Sequence, residues 1–135
     1  MSDPKPKRVY IYAYTAQIRS PDVEKQVLAC RAVAVANDLL IVKTEIDGGR
    51  CGPNMVGRDG LARVLKAAEA GEFDTLIIKS IDRLGRDLNE VVSLLVRLHM
   101  YRIQLLTADG GVVSLEETAV GMVECAVVLQ KRGRK

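Results

Sequence analysis

The chain has 135 residues, of which 48% are hydrophobic and only 4% are aromatic, and its formal net charge at pH 7 is +3. This length is typical of a single domain, and the scarcity of aromatic residues predicts a mainly aliphatic core. No run of about 18 apolar residues occurs, so the sequence argues against a membrane span.

Predicted strands alternate with predicted helices along the chain, because runs rich in β-branched residues are separated by stretches with helical spacing of apolar residues. In chain order, the elements are a strand at 8–14, a helix at 20–39, a strand at 40–46, a Gly-rich loop at 47–57, a helix at 58–71, a strand at 74–80, a helix at 87–100, a strand at 102–108 and a helix at 114–130. This alternation predicts a single-domain α/β fold. Its sheet should be mostly parallel, with about four to five strands and helices on both faces.

The three cysteines, Cys30, Cys51 and Cys125, are far apart and lack the spacing of a zinc site. Cys30 and Cys125 lie in apolar helical stretches, where we expect them to pack in the core. The sequence therefore predicts no metal and no cofactor. Reduced thiols of this kind are typical of the cytoplasm.

Charged residues follow the third predicted strand, at the edge of the sheet where α/β proteins usually bind ligands. Arg83 and Arg86 lie three positions apart in the segment IDRLGRD, in which Asp82 precedes them. Arg58 opens a helix after the Gly-rich loop, and Lys79 ends the third strand. Forked guanidinium donors suit phosphate groups, so these residues predict an electropositive phosphate-binding pocket. The alternative is that Arg83 pairs with Asp82 or Asp87 and only stabilises a loop.

Four short motifs occur in order along the chain: YAYTA at 12–16, RDGL at 58–61, DRLGR at 82–86 and TAVGMV at 118–123. They resemble the catalytic domain of the serine recombinases, the resolvase/invertase family, whose pattern runs Y-x-R-x-S, R-x-G-L and D-R-L-x-R. The resemblance covers nearly the whole chain. It implies the fold of that domain and a link to DNA recombination. In that family a serine hydroxyl attacks the scissile DNA phosphate and forms a covalent phosphoserine link, without a metal ion.

The resemblance also implies roles for the basic residues. Arg58, Arg83 and Arg86 carry over as catalytic arginines that bind DNA phosphate. Asp82 carries over as the acid that orients them. Lys79 is expected to contact DNA phosphate from the end of the third strand.

Two catalytic positions depart from the family pattern. Ala16 stands at the position of the nucleophilic serine, and Tyr14 stands at the position of the strand arginine. Thr15 should point to the opposite face of the strand, because side chains alternate along a strand, and Ser20 is interpreted as a helix cap. We therefore interpret the chain as a pseudo-enzyme of the family, without strand-cleaving activity.

The C-terminal end also departs from the family, whose members continue into a DNA-reading helix-turn-helix domain. Here the last apolar helix ends near Gln130, so we expect one domain over 1–135, with basic tails at 1–8 and 131–135 and no helix-turn-helix. The helix at 116–130 has more apolar surface than one buried face requires. It predicts a homodimer or pairing with a related recombinase, and the alternative is a simple core helix.

The function that the sequence favours is a domain linked to DNA recombination or its regulation. It would bind DNA phosphate, weakly and without sequence specificity, or a protein partner, or both. One alternative is an active recombinase fragment with a displaced nucleophile. Another is a small anion- or nucleotide-binding regulatory module. In each case we expect a cytoplasmic protein without a membrane segment.

Overall fold

The structure is a computed structural model that describes residues 7–15, 22–48, 58–84 and 88–113. The strands in these ranges are β1 (Arg8–Thr15), β2 (Leu40–Gly48), β3 (Thr75–Ile78), β4 (Gln104–Thr107) and β5 (Gly111–Val113). The helices in the same ranges are α1 (Asp22–Ala36), α2 (Asp59–Glu69) and α3 (Leu88–Met100), and a short 3-10 turn covers Ile81–Arg83. None of the helices described is long and apolar enough to cross a bilayer.

The strands form one sheet in the order β2-β1-β3-β4-β5. The first four strands in this order are parallel, and β5 pairs antiparallel with β4. The predicted α/β fold with a mostly parallel sheet is therefore confirmed. The sequence does not predict β5, because three residues are too few to show a periodic pattern. It forms through a tight reversal, in which Gly111 has a φ of 76° and the Thr107 hydroxyl accepts a hydrogen bond from the Gly110 amide.

Helices cover both faces of the sheet, as predicted. α1 packs on one face, where its buried side chains meet alternate residues of the central strands, among them Val9, Ile11, Ile77 and Leu106. α2 and α3 pack on the other face. That second core is mainly aliphatic, but it also holds the scarce aromatic residues Tyr10, Tyr12, Tyr14 and Phe73. The three tyrosines share this face because they occupy alternate positions of β1.

Cys30 lies in the α1 core, as the sequence predicts, and it is fully buried. Burial, with a smaller contribution from the nearby Asp109 carboxylate, raises the pKa of the Cys30 thiol to about 12. Its thiol is therefore protonated and unreactive at neutral pH. Cys51, Cys125 and the predicted helix at 114–130 lie outside the described residues.

The second strand is longer than predicted. β2 continues to Gly48, two residues into the predicted loop at 47–57, because Asp47 and Gly48 pair with Tyr14 and Thr15 at the end of β1. This extension places the Asp47 side chain in the interior, where it is 6% exposed. An acidic residue that the sequence assigns to a loop thus becomes part of the buried structure next to α2.

Candidate functional site

The candidate site lies where β1 and β3 end, at the carboxyl edge of the parallel strands. The 3-10 turn after β3 carries Arg83 back towards β1, where Arg83 Nη1 donates a hydrogen bond to the Tyr14 carbonyl at 3.3 Å. Lys79 follows β3 directly and is about one-third exposed. The structure thus brings together Tyr14, Lys79 and Arg83 from separate parts of the sequence, whereas Arg86 and Ala16 lie outside the described residues.

Arg83 has a nearer acidic neighbour than the one that the sequence predicts. The carboxylate of Asp22, in the first turn of α1, lies 3.4 Å from Arg83 Nη1 and 3.9 Å from Lys79 Nζ. Asp82, the predicted orienting acid, has its Oδ2 at 4.0 Å from Arg83 Nε and is 72% exposed. Asp82 Oδ1 accepts a hydrogen bond from the Ser80 hydroxyl. Two carboxylates therefore face two cations, and the site is less positive than the sequence predicts.

One donor of Arg83 has no hydrogen-bond partner. Among the described residues, Arg83 Nε is buried and makes no hydrogen bond, although the Arg83 side chain as a whole is 23% exposed. A buried donor without an acceptor costs about 1–3 kcal/mol. Arg83 Nε is thus a donor that the described residues leave unsatisfied.

A buried glutamine connects the site to α1. Gln26 is fully buried, and its Oε1 accepts a hydrogen bond from the Tyr14 amide at 3.2 Å. Its Nε2 donates to the Tyr14 carbonyl at 2.8 Å and to Asp22 Oδ2 at 2.7 Å. Gln26 therefore holds the end of β1 and the Asp22 carboxylate in fixed positions relative to each other.

Arg58 is buried beneath the site, with 4% exposure, and contacts protein acceptors. Its Nε and Nη2 donate to the Tyr12 hydroxyl at 3.2 and 3.0 Å. Its Nη2 also donates to the Arg83 carbonyl at 2.7 Å, and its Nη1 donates to the Leu84 carbonyl. The guanidinium lies 4.7 Å from the centre of the Tyr14 ring, at a distance typical of a cation–π contact. Arg58 therefore fixes the turn that carries Arg83.

The hydroxyl of Tyr12 extends this buried network to Asp47. Tyr12 donates to Asp47 Oδ2 at 2.8 Å, while the Asp47 carboxylate accepts hydrogen bonds from the amides of Gly60 at 2.7 Å and Leu61 at 2.9 Å. Asp47 thus caps the start of α2 from β2, since Arg58 at the N-cap position makes no side-chain cap. Burial raises the pKa of the Tyr12 hydroxyl above its ordinary value, although Arg58 opposes the shift. Sequence reasoning missed Asp47. Its position, directly after a predicted strand and at the start of a Gly-rich loop, is the signal that could have indicated it.

Comparison with known protein families gives a match for this chain. The family described as "Resolvase, N terminal domain" matches residues 9–130. The chain belongs to the resolvase N-terminal domain family. No curated protein matches the chain.

Solved structures of resolvase-family and serine-recombinase domains have the same fold. A resolvase family site-specific recombinase from Streptococcus pneumoniae is 22% identical in sequence, with a TM-score of 0.79. The aligned region covers 95% of this chain and 91% of the recombinase chain. The N-terminal catalytic domain of TP901-1 integrase is 17% identical, with 96% and 100% coverage and a TM-score of 0.75. The C-terminal catalytic domain of ISC1926 TnpA, an IS607-like serine recombinase, is 20% identical, with 75% and 70% coverage and a TM-score of 0.65. At these identities the likeness shows the fold alone.

The close approach of Asp47 explains why glycine occupies position 60 in the motif RDGL. A Cβ atom built on Gly60 would lie 2.8 Å from Asp47 Oδ1, and the Asp47 carboxylate is held by three hydrogen bonds. Gly60→Ala is therefore expected to destabilise the domain by about 1–2 kcal/mol through overpacking. At an unhindered helix position the same change would stabilise by roughly 1 kcal/mol. Urea unfolding followed by circular dichroism measures the difference.

The control for this prediction is the same change without the obstructing carboxylate. In an Asp47→Ala background, Gly60→Ala should no longer destabilise, because the two substitutions act on one contact and are not additive. Stabilisation by Gly60→Ala alone would show that Asp47 can move aside.

No metal site is evident in the described ranges, since they contain no cluster of three or more His, Cys, Asp or Glu side chains. The arrangement that remains is a pair of cations, Lys79 and Arg83, at the end of β3. Both are partly exposed, while Arg58 is enclosed by protein. This pair is the part of the described site that an external anion can reach.

Proposed function

We propose that this resolvase-family domain binds DNA phosphate without cleaving the strand and acts in DNA recombination or its regulation. The observation that carries this proposal is the partly exposed pair Lys79 and Arg83, in which Arg83 Nε makes no hydrogen bond among the described residues. Guanidinium and ammonium groups at the carboxyl edge of a parallel sheet suit a phosphodiester. Membership in the resolvase family supports DNA as the source of that phosphate.

The lack of cleavage rests on two positions. Alanine at position 16 supplies no nucleophile, and Tyr14 supplies no guanidinium. The Tyr14 ring is 9% exposed and packs against Arg58. Its aromatic ring thus occupies interior space, where a strand arginine would bring a second positive charge close to Arg58. In this proposal the domain keeps the fold and the phosphate site of a recombinase but not its chemistry.

The basic residues then have different roles. Arg83, Arg86 and Lys79 bind phosphate, and Asp82 adjusts the position of Arg83. Arg58 supports the site from beneath, because its guanidinium donates to the carbonyl of Arg83. A phosphate contact by Arg58 itself would require its present hydrogen bonds to be exchanged.

The partners and the extent of the domain are further parts of the proposal. The chain forms one domain over 1–135 with basic tails at 1–8 and 131–135, and it works in the cytoplasm. The apolar segment at 116–130, which the sequence predicts to be a helix, is proposed to pair with a second copy or with a related recombinase. DNA binding by this domain alone is weak and independent of sequence, because it rests on backbone phosphate contacts.

The proposal is tested by the fluorescence anisotropy of a labelled duplex, titrated with protein at several salt concentrations. Arg83→Ala should weaken binding and lower the slope of log K against log salt by about one unit, since one phosphate contact is lost. Arg83→Ala combined with Arg86→Ala should weaken binding further. Arg31→Ala is the matched control, because Arg31 is an exposed arginine of α1. An equal effect of Arg83→Ala and Arg31→Ala would refute the proposed site.

A competition experiment separates DNA from a small anionic ligand. Unlabelled duplex should displace the labelled duplex at far lower phosphate concentration than a mononucleotide does. Stronger displacement by the mononucleotide would instead favour a nucleotide-binding module.

A further inference from the structure

The Asp22 carboxylate faces both cations of the proposed phosphate site. Its Oδ2 lies 3.4 Å from Arg83 Nη1, and its Oδ1 lies 3.9 Å from Lys79 Nζ. The two oxygens of one carboxylate thus face the two cations that the proposed function assigns to phosphate. A carboxylate and a phosphodiester each carry one negative charge and bind the same forked donors. Asp22 and an incoming phosphate therefore compete for Lys79 and Arg83.

The position of Asp22 is fixed by the fold. The buried amide of Gln26 donates to Asp22 Oδ2 at 2.7 Å and also to the Tyr14 carbonyl at 2.8 Å. Asp22 stands in the first turn of α1, where a negative charge is stabilised by the helix dipole. The carboxylate is therefore held at the site by the glutamine and the helix as well as by the cations.

We infer that Asp22 sets the affinity of this domain for phosphodiesters, because it acts as an internal anion that DNA phosphate must displace from Lys79 and Arg83. The inference rests on the proposed function and specifies how the same site is regulated. A phosphate that displaces Asp22 exchanges one negative charge for another at Arg83 Nη1 and Lys79 Nζ. The displaced carboxylate stays close to the DNA and repels it, so DNA binding is weaker than the cations alone would give.

The test compares two substitutions in the same helical turn. Asp22→Asn removes the competing charge and keeps an oxygen that can accept from Gln26. Glu24→Gln removes the same charge and an equivalent interaction with the helix dipole, since Asp22 and Glu24 are both acidic residues of the first turn. Glu24 instead lines a shallow depression with Val23, Val27, Leu28 and Ile46. Any effect of net charge alone is therefore common to both variants.

Asp22→Asn is expected to tighten duplex binding by about three- to tenfold relative to Glu24→Gln, in the range of two partly exposed ion pairs. It should also steepen the salt dependence, because Lys79 and Arg83 become free to replace counterions on the DNA. Thermal unfolding of each variant checks that the fold is retained. Asp22→Ser is a second variant, which should show the same gain in affinity if asparagine perturbs α1.

A double variant identifies the mechanism. In an Arg83→Ala background, Asp22→Asn should lose most of its gain, because the main partner of the carboxylate is gone. Equal affinities and equal salt slopes for Asp22→Asn and Glu24→Gln would overturn the inference. If Arg83→Ala still weakened binding in that case, the proposed phosphate site would stand without the competing role of Asp22. If Arg83→Ala had no effect, or no variant bound DNA, the proposed function would fail and this inference with it.

Discussion

Replacing Arg58 by methionine is expected to lower the free energy of unfolding by about 3 kcal/mol, in the range found when one partner of a buried charged network is removed. Methionine can fill most of the space of the arginine stem, so the loss comes from the polar groups. The carbonyls of Arg83 and Leu84 and the hydroxyl of Tyr12 would each lose a donor. Such groups cost free energy when they stay buried and unpaired.

The matched control is Arg63→Met in α2, the helix that Arg58 precedes. Arg63 donates to the Glu45 carboxylate at 2.9 Å, and its own side chain is 54% exposed. The buried Glu45 also has Lys43 Nζ at 3.0 Å, so its carboxylate stays paired with a cation when Arg63 is replaced. Substitution of Arg63 should therefore cost far less than that of Arg58. Arg58→Lys should also be destabilising, since an ammonium group cannot reproduce the planar fork that contacts several acceptors. Urea unfolding gives all three values, and similar losses for Arg58→Met and Arg63→Met would contradict the network.

The same comparison separates support from phosphate binding. Arg83→Ala should weaken DNA binding with little loss of stability, because the Arg83 side chain is partly exposed and one of its donors is unpartnered in the described structure. Arg58→Met should reduce stability at every salt concentration. If Arg58→Met instead lost DNA binding while keeping full stability, Arg58 would be shown to contact phosphate directly.

Incubation with duplex DNA is expected to give no covalent protein–DNA adduct. Loss of a catalytic nucleophile reduces the rate by roughly 10⁶-fold, and alanine stands at position 16. Ala16→Ser alone should also give no detectable adduct, because Tyr14 still lacks the guanidinium that the family places on β1. The Tyr14 ring lies against Arg58 and cannot take over this role.

A denaturing gel with end-labelled DNA measures the adduct for the wild type, for Ala16→Ser and for Ala16→Ser combined with Tyr14→Arg. We expect the double variant to be the first to form one, if it folds as its thermal unfolding would report. An adduct with the wild-type chain would show that another hydroxyl attacks DNA, and mass spectrometry of the labelled peptide would identify it. Ser20 and Thr15 would be the first to examine.

The fold and the family could be predicted from the sequence because their signals are local. Alternating strand and helix patterns indicate a parallel α/β sheet, and the motifs RDGL and DRLGR are contiguous. The interpretation of Ala16 and Tyr14 as departures from the family pattern uses a local signal of the same kind, and it stays a prediction. β5 was beyond this reasoning, because its three residues form a strand only by pairing with β4.

The partners of the charged residues were determined only by the tertiary structure. Arg58 bonds to Tyr12, 46 positions away, and Tyr12 bonds to Asp47, 35 positions away. Asp82 is the neighbour of Arg83 in the sequence, yet Asp22 from another helix approaches Arg83 more closely. The sequence by itself determined the α/β architecture and the family, because local spacing and residue type decide both. Which acid meets which base depends on where the sheet brings distant side chains together, and no local pattern carries that information.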